Sequence, residues 1–402
     1  MSSYKRTELE RIELKAPRLR ADKLPLVIDD WTLSFRLGFR GKTFWFIHKN
    51  RDSLYREFRI RKATGGMRVI HNPAPILRTF SQQLRSRILL PLCAGLGEHV
   101  SAYQLGKSTV DAAREHLAPC PVCAPFDEAH TCEPHVVVND GDALRYRVAK
   151  NDCAACSLPP PHECPRKGVK IHMDIKNFFG STKRSWIRQY FHEVVGYNHY
   201  VSGLLAHLMT VSLVNDRTKE TYHGVPQGSK TSGDICNLVA DWRFDHEIKD
   251  KYPEWKYTRY ADDLYFSHPK NLSKEDTDAF IKDIERIVSK SGYRINGKKL
   301  HIQRPHRRQR LLGVVLNQKI NIPREQFRQM RSLLHNCVQT GFEAQVSRAK
   351  RDSVENLHHW IKGKISYYSM IAPAKAAHLK VLYKHACSVD NGLKKIDGDF
   401  VL

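Results

Sequence analysis

Along this 402-residue chain the apolar positions follow two periods, and each marks a different kind of element. From Trp31 to Tyr55, Trp31, Phe35, Phe44, Phe46, Ile47 and Leu54 predict a helix-and-turn unit packed on a core. Residues 1–30 are charged, carry Pro17 and Pro25, and show no clean period, so an arm or weak helix is expected. Tyr55 to Pro75 alternates around Gly65–Gly66 and predicts a β-hairpin loaded with Arg and Lys. Thr79–Leu92 has helical spacing, and a β-rich run from Lys170 to Met173 leads into Asp174 and a helix over Ser181–Val195. A turn at Pro226–Ser229 precedes a helix from about Thr231 to Lys249. Tyr257–Ser267 alternates with a period near two and predicts a hairpin with Asp262 and Asp263 at its turn. Ser273–Ser291 is an amphipathic helix with Ser273 as its N-cap, Arg310–Pro323 a second hairpin, and 324–388 helical.

Composition narrows the class. With 41% hydrophobic residues the chain can bury the core of several subdomains, and no apolar run reaches membrane-spanning length. The N-terminus lacks the apolar segment of a signal peptide, so a cytoplasmic protein without a membrane partner is expected. A net charge of +24, spread along the chain rather than confined to a tail, is the footprint of a nucleic-acid binder with salt-sensitive affinity.

The candidate chemistry lies in the acids. Adjacent carboxylates at a turn are costly unless a cation sits between them. Asp174, Asp262 and Asp263 gathered at strand ends would suit a two-metal phosphoryl-transfer site, one ion activating the attacking hydroxyl and the other holding the leaving pyrophosphate. Alone, an Asp-Asp pair is as readily a solvated turn.

Six of the ten cysteines crowd into 117–168, a stretch with an internal repeat. Cys120-Pro-Val-Cys123 is followed by His130-Thr-Cys132, and Cys153-Ala-Ala-Cys156 by His162-Glu-Cys164. Each unit offers three thiolates and an imidazole, so two structural Zn²⁺ sites are expected, with cross-bracing between units, or substitution by His116 or His135, left open. The insert holds more acids than bases, which favours a docking or bracing role over phosphate binding.

Asp174 followed by Phe178–Phe179, then Pro226-Gln227-Gly228-Ser229, then Tyr260-Ala261-Asp262-Asp263, in that order and spacing, resembles the palm of bacterial reverse transcriptases, retron-type enzymes among them. The resemblance runs from about Tyr55 to about Ala386. It implies an α+β right-hand polymerase fold: an N-terminal region over 1–54, fingers over 55–116, the Cys/His insert over 117–168, palm over 169–310, a primer-grip-like hairpin over 311–323 and a helical thumb over 324–402. It implies an RNA-directed DNA polymerase with two catalytic Mg²⁺ ions held by Asp174, Ile175, Asp262 and Asp263, acting on dNTPs, a noncoding RNA template and the RNA–DNA hybrid. Arg61 and Arg68 would grip the nucleotide phosphates, with Lys62 the off-by-one alternative to Arg61; Phe179 would exclude a ribose 2′-OH, and Gln227 would contact nucleotide and template. Lys299, or Lys298 beside it, would serve near the leaving pyrophosphate as general acid or charge stabiliser.

Retron enzymes prime cDNA from a 2′-OH of their own noncoding RNA and serve anti-phage defence with a protein effector, and the same is expected here. Within Ser101–Leu117, which resembles the second fingers motif, Lys107 takes the basic position, and Ala113 and His116 match an Asn-Ala-x-x-His element in which Ala112 replaces the Asn. Leu311-Leu312-Gly313 likewise keeps only the glycine of the usual Val-Thr-Gly. A non-retron bacterial defence reverse transcriptase, and a catalytically silent nucleic-acid-binding scaffold, are the alternatives. No DNA-binding or endonuclease region of the group II intron kind is expected after the thumb.

Overall fold

In a computed structural model the described residues are 24–61, 65–117, 168–215, 218–317 and 319–391. Lys62 and all eight repeat residues, from Cys120 to Cys164, lie outside them, as does His135. The chain forms two compact units, one taken from the chain up to Ser108, from Ile171–Ser267 and from Leu272–Ile302, the other from Thr109–Lys170, His268–Asn271 and the chain from Gln303 onward.

The first unit opens with helices Asp30–Leu37 and Gly41–Asn50, joined by Gly38. Asp29 caps the first, accepting from the Thr32 N–H, while the Thr32 hydroxyl oxygen accepts from the Asp29 N–H. Strands β1 (Tyr55–Arg61) and β2 (Met67–Pro73) follow as an antiparallel hairpin. The helix expected from Thr79 begins at Pro75, whose fixed φ suits a first turn, and passes from Pro75–Leu84 through a π-helical turn, Arg85–Leu89, into Leu90–Cys93.

The central sheet has the order β6-β7-β3-β8, with β3 spanning Lys170–Asp174, β6 Lys256–Tyr260, β7 Asp263–Ser267 and β8 His301–Gln303. Helix Lys274–Lys290 buries Thr277, Phe280, Ile281, Ile284, Ile287 and Val288 at intervals of three and four. Phe280 meets Phe266 of β7 at 5.2 Å and stacks on Trp255 at 3.8 Å. Each such buried side chain contributes roughly 1.5–3 kcal/mol of transfer free energy. As expected, Ser273 is the N-cap, its hydroxyl accepting from the Asp276 N–H at 3.0 Å.

Helix Ser232–Ala240 is buried at every position and continues through a π-helical turn, Asp241–Asp245, to His246–Lys251. A short hairpin, β4 (Val211–Val214) with β5 (Thr221–Gly224), lies between helix His199–Leu208 and the Pro226–Ser229 turn in the chain. That turn docks on the first hairpin, because the His71 N–H donates to the Gln227 carbonyl at 2.7 Å. Gly228 is required there: its φ is +124°, and a Cβ would lie 2.6 Å from the His71 carbonyl oxygen.

The second unit carries helix Thr109–Glu115 and the hairpin of β9 (Arg310–Leu311) with β10 (Val314–Val315). Its two-residue turn, Leu312–Gly313, has positive φ at both positions, the geometry that matches strand twist in tight hairpins. Helices Arg324–Thr340, Val354–Ile371 and Pro373–Asn391 then bury Leu334, Cys337, Leu357, Ile361, Leu379 and Tyr383. Among the described residues no helix is long and apolar enough to cross a membrane.

Candidate active site

Asp174 ends β3 and is 3% exposed. The β6–β7 turn is held beside it, because the Ile175 N–H donates to the Asp262 carbonyl at 2.7 Å. Tyr260 pairs with Asp263, so the turn proper is Ala261-Asp262, with Ala261 at φ +56°, and Asp263 is already the first residue of β7. The two neighbouring acids therefore have different surroundings. Asp263 Oδ1 lies 2.7 Å from His172 Nε2, a ring stacked between Tyr265 and His301. Burial, then the Asp263 and Asp174 charges, push the Asp262 carboxyl up to about 6.

Positive charge reaches the acids from the 3₁₀ turn Gly297–Lys299. Lys299 Nζ donates to Asp174 Oδ2 at 2.6 Å, and that bond is the main cause raising its pKa. Asn296 Nδ2 donates to Asp174 Oδ1 at 3.0 Å, and its backbone N–H to the Asp174 carbonyl at 2.7 Å. Sequence reasoning missed Asn296, although it stands three residues before the lysine. The exposed Lys298 makes no hydrogen bond or ion pair to the acids.

Phe179 returns to this region because Asn177 takes a left-handed conformation, φ +50°, between β3 and the short helix Phe178–Ser181. Its half-buried ring meets Tyr103 edge-on at 6.3 Å and Phe178 at 5.7 Å. Tyr103, also missed, sits at φ +60° against Gly233, where a Cβ would come within 2.4 Å of its ring. Desolvation of its hydroxyl, then the nearby Asp262, push it up to about 12, while Arg68 pulls the other way. The only sequence signal for Tyr103 was its place in the Ser101–Leu117 motif.

The fingers cations are arranged less symmetrically than expected. Arg61 pairs with Met67 and Ile60 with Arg68, so strand alternation puts Arg61 and Arg68 on opposite faces of the hairpin. Both are exposed. Gln227 is half-buried, with its carbonyl spent on β2. Lys107 is a brace: its Nζ donates to the Glu98 and Val100 carbonyls, each at 3.1 Å.

Behind the acidic turn lies a buried ionic cluster that sequence did not reveal. Arg259 of β6 is fully buried; its Nε and Nη2 reach Asp245 Oδ2 at 2.8 and 2.7 Å, and its Nη1 reaches Asn237 Oδ1 at 2.7 Å. Burial alone would lower the arginine's pKa, but Asp245 outweighs it and raises it; the same pair holds Asp245 well below the usual range. His99 Nε2 completes the cluster at 2.8 Å from Asp241 and 3.5 Å from Asp245. His99, Asp241 and Asp245 are close enough to share an ion. Asp245 is already neutralised by Arg259, however, so the cluster is read as a brace for the turn.

The donor set at Asp174, Asp262 and Asp263 is all carboxylate oxygen, it crowds three negative charges about one lysine, and it depresses ionisation of Asp262. Those are the properties of a site completed by hard divalent cations such as Mg²⁺.

Known proteins place the chain. Its residues 60–316 match the family model described as reverse transcriptase (RNA-dependent DNA polymerase). The retron Mx65 reverse transcriptase of Myxococcus xanthus is 26% identical over 348 residues, covering 83% of this chain and 65% of that protein. The retron Ec86 reverse transcriptase of Escherichia coli is 26% identical over 198 residues, covering 48% and 53%. The chain thus spans about half to two-thirds of the length of these curated relatives. Among solved structures, telomerase from Candida albicans, in complex with a fragment of telomeric RNA, aligns with a TM-score of 0.42 at 11% identity, covering 84% of this chain and 56% of that one. With residues 60–316, most of its length, inside the family match, this chain of mixed helices and sheets belongs to the reverse transcriptase family.

Proposed function

We propose that the protein is an RNA-directed DNA polymerase that extends a primer 3′-OH, or an RNA 2′-OH, with dNTPs. The observation that carries this reading is the 2.7 Å tie between the Ile175 N–H and the Asp262 carbonyl, which fixes the two acid-bearing elements side by side. Asp174, Asp262 and Asp263, with Ile175 adjoining, would hold two Mg²⁺ ions. When bound, such ions lower the pKa of the attacking hydroxyl and stabilise the leaving pyrophosphate.

The chain's own groups do the remainder. Lys299, held protonated by Asp174, keeps a proton and a positive charge at Nζ for the leaving group. Phe179, backed by Tyr103, walls the sugar side against a 2′-OH. Arg68, whose charge acts on Tyr103, and the Gln227 turn serve nucleotide and template. The retron relatives favour a retron enzyme that makes RNA-linked cDNA from its own noncoding RNA in anti-phage defence with an effector. The altered Ala112 and Leu311-Leu312 favour, as a second reading, a defence reverse transcriptase outside the retrons.

The experiment is to express the protein with its native genomic neighbourhood, purify it, and treat the bound nucleic acid with RNase or DNase in turn. A discrete RNA joined covalently to a short DNA, absent from Asp262→Asn, is the retron result. Extension of a supplied primer on RNA without such a hybrid moves the protein to the second reading. Failure to extend any primer with Mg²⁺ rejects the polymerase.

A further inference from the structure

Apart from the acids and the nucleotide-facing residues, the first unit holds an open cleft of about 890 Å³ between helices Arg184–Gln189 and His199–Leu208 and the β4–β5 hairpin. Three permanent cations line it, Lys183, Arg184 and Arg188, against a single carboxylate, Glu193. Glu193 is engaged by Gln189 Nε2, 3.0 Å from each of its oxygens. Lys183 and Arg188 are exposed and make no ion pair with a carboxylate among the described residues. A basic surface is usually a solvated face, but two features set this one apart.

The first is an arginine short of acceptors. Arg184 Nε donates to Thr210 Oγ1 at 2.9 Å, while its Nη2 is buried without a partner. The buried Arg51, which holds Asp52 and donates to the His207 carbonyl at 2.8 Å, acts on Arg184 as a like charge, and Asp52 acts the other way. Burial first, then Arg51, bring the Arg184 pKa down to about 10. A buried guanidinium N–H without an acceptor is costly, and an incoming anion would supply one. The second feature is a stacking surface: His192 and His199 lie ring on ring at 3.7 Å, and Tyr222 and His223 line the hairpin side. Desolvation lowers the pKa of His207, to about 4, and of His223, so neither of these two rings adds positive charge to the cleft at neutral pH.

We infer that this cleft is a second, non-catalytic nucleic-acid site, in which Lys183, Arg184 and Arg188 hold backbone phosphates of single-stranded RNA while the imidazole pair and Tyr222 stack on its bases. Cations beside exposed rings form the combination that single strands use, whereas duplex hides its base faces. The cleft is far larger than one phosphate ion needs, which favours a strand over a free anion. The inference adds an anchoring point for the RNA of the proposed polymerase, but binding there does not depend on the chemistry.

The test uses the full chain and the variant Lys183→Ala/Arg188→Ala, two exposed positions whose loss leaves the core intact. Labelled single-stranded RNA is titrated at several salt concentrations with an excess of unlabelled primer–template duplex occupying the catalytic acids' site. The expected result is an affinity at least about 10-fold weaker near 0.1 M salt, with the log–log salt slope smaller by about 1.4, two single-strand phosphate contacts at about 0.7 each. Extension of a short preformed primer–template should stay within about twofold. Unchanged RNA affinity and slope overturn the inference. So does a small-anion result, in which inorganic phosphate raises the melting temperature of the parent but not of the variant while RNA affinity is equal in both. A protein that extends no primer yet shows the RNA difference would reject the polymerase reading and leave this site standing.

Discussion

Lys299 Nζ donates to Asp174 Oδ2 across 2.6 Å, from a half-exposed lysine to a buried acid. Lys299 thus sets a positive charge against Asp174, Asp262 and Asp263. Lys299→Ala should lower the single-turnover extension rate by about 10²–10⁴-fold, the range for a lost general acid. Lys298→Ala, one residue away and without that bond, should change it less than about threefold. Equal effects of the two would reject the assignment to Lys299.

Asp262 ties stability to pH, and metal binding at the proposed site would show through the same group. Its pKa in the folded protein, about 6, lies above the model-compound value of 3.8. Its contribution to stability is therefore fully present below the unfolded-state value and is lost as pH rises through about 6. A divalent ion favours the carboxylate and should offset that loss. Thermal midpoints should rise more with Mg²⁺ at pH 7.5 than at pH 5, and Asp262→Asn should remove most of the difference. An equal rise at both pH values, in the parent protein, contradicts the placement of the ion.

Phe179 and Tyr103 meet edge to face. Phe179→Ala should relax discrimination against ribonucleotides by about 10–100-fold in the ratio of kcat/KM values, as removal of a steric wall does. Tyr103→Ala should give a smaller change in the same direction by releasing the Phe179 ring. Unaltered discrimination in Phe179→Ala would make that ring a core residue only.

Arg259 and Asp245 form a fully buried pair. Arg259→Met should cost about 3–5 kcal/mol in urea denaturation, because Asp245 is left charged in the interior. Arg259→Met with Asp245→Leu should recover more than half of the loss.

The repeated Cys-x-x-Cys and His-x-Cys units make a prediction from spacing alone. Metal analysis of protein purified without chelator should find about two zinc ions per chain, falling to about one in Cys153→Ser/Cys156→Ser. Metal-free protein would exclude the zinc reading.

Local chemistry made much of the fold legible. The β1–β2 and β6–β7 hairpins follow from alternation and their turns, and helix Lys274–Lys290 starts where Ser273 says it should. The helix after Pro226–Ser229 was legible, but its π-helical turn, Asp241–Asp245, was not, because no local sequence signal marks where such a turn interrupts a helix. The acids were legible through their order along the chain. Asn296 and Tyr103 were not, since each reaches the site through a contact far away in sequence. Arg61 and Arg68 stood as a pair in sequence, and only the strand register separates their faces.

The bond between the His71 N–H and the Gln227 carbonyl, with no room for a side chain at Gly228, makes the root of the β1–β2 hairpin and the Pro226–Ser229 turn one mechanical piece. A swing of the hairpin's root would carry Gln227 with it, like a key cut on the same blank. The hairpin is then a lever whose fulcrum lies at His71, with independent travel left only to the tip beyond Ile70.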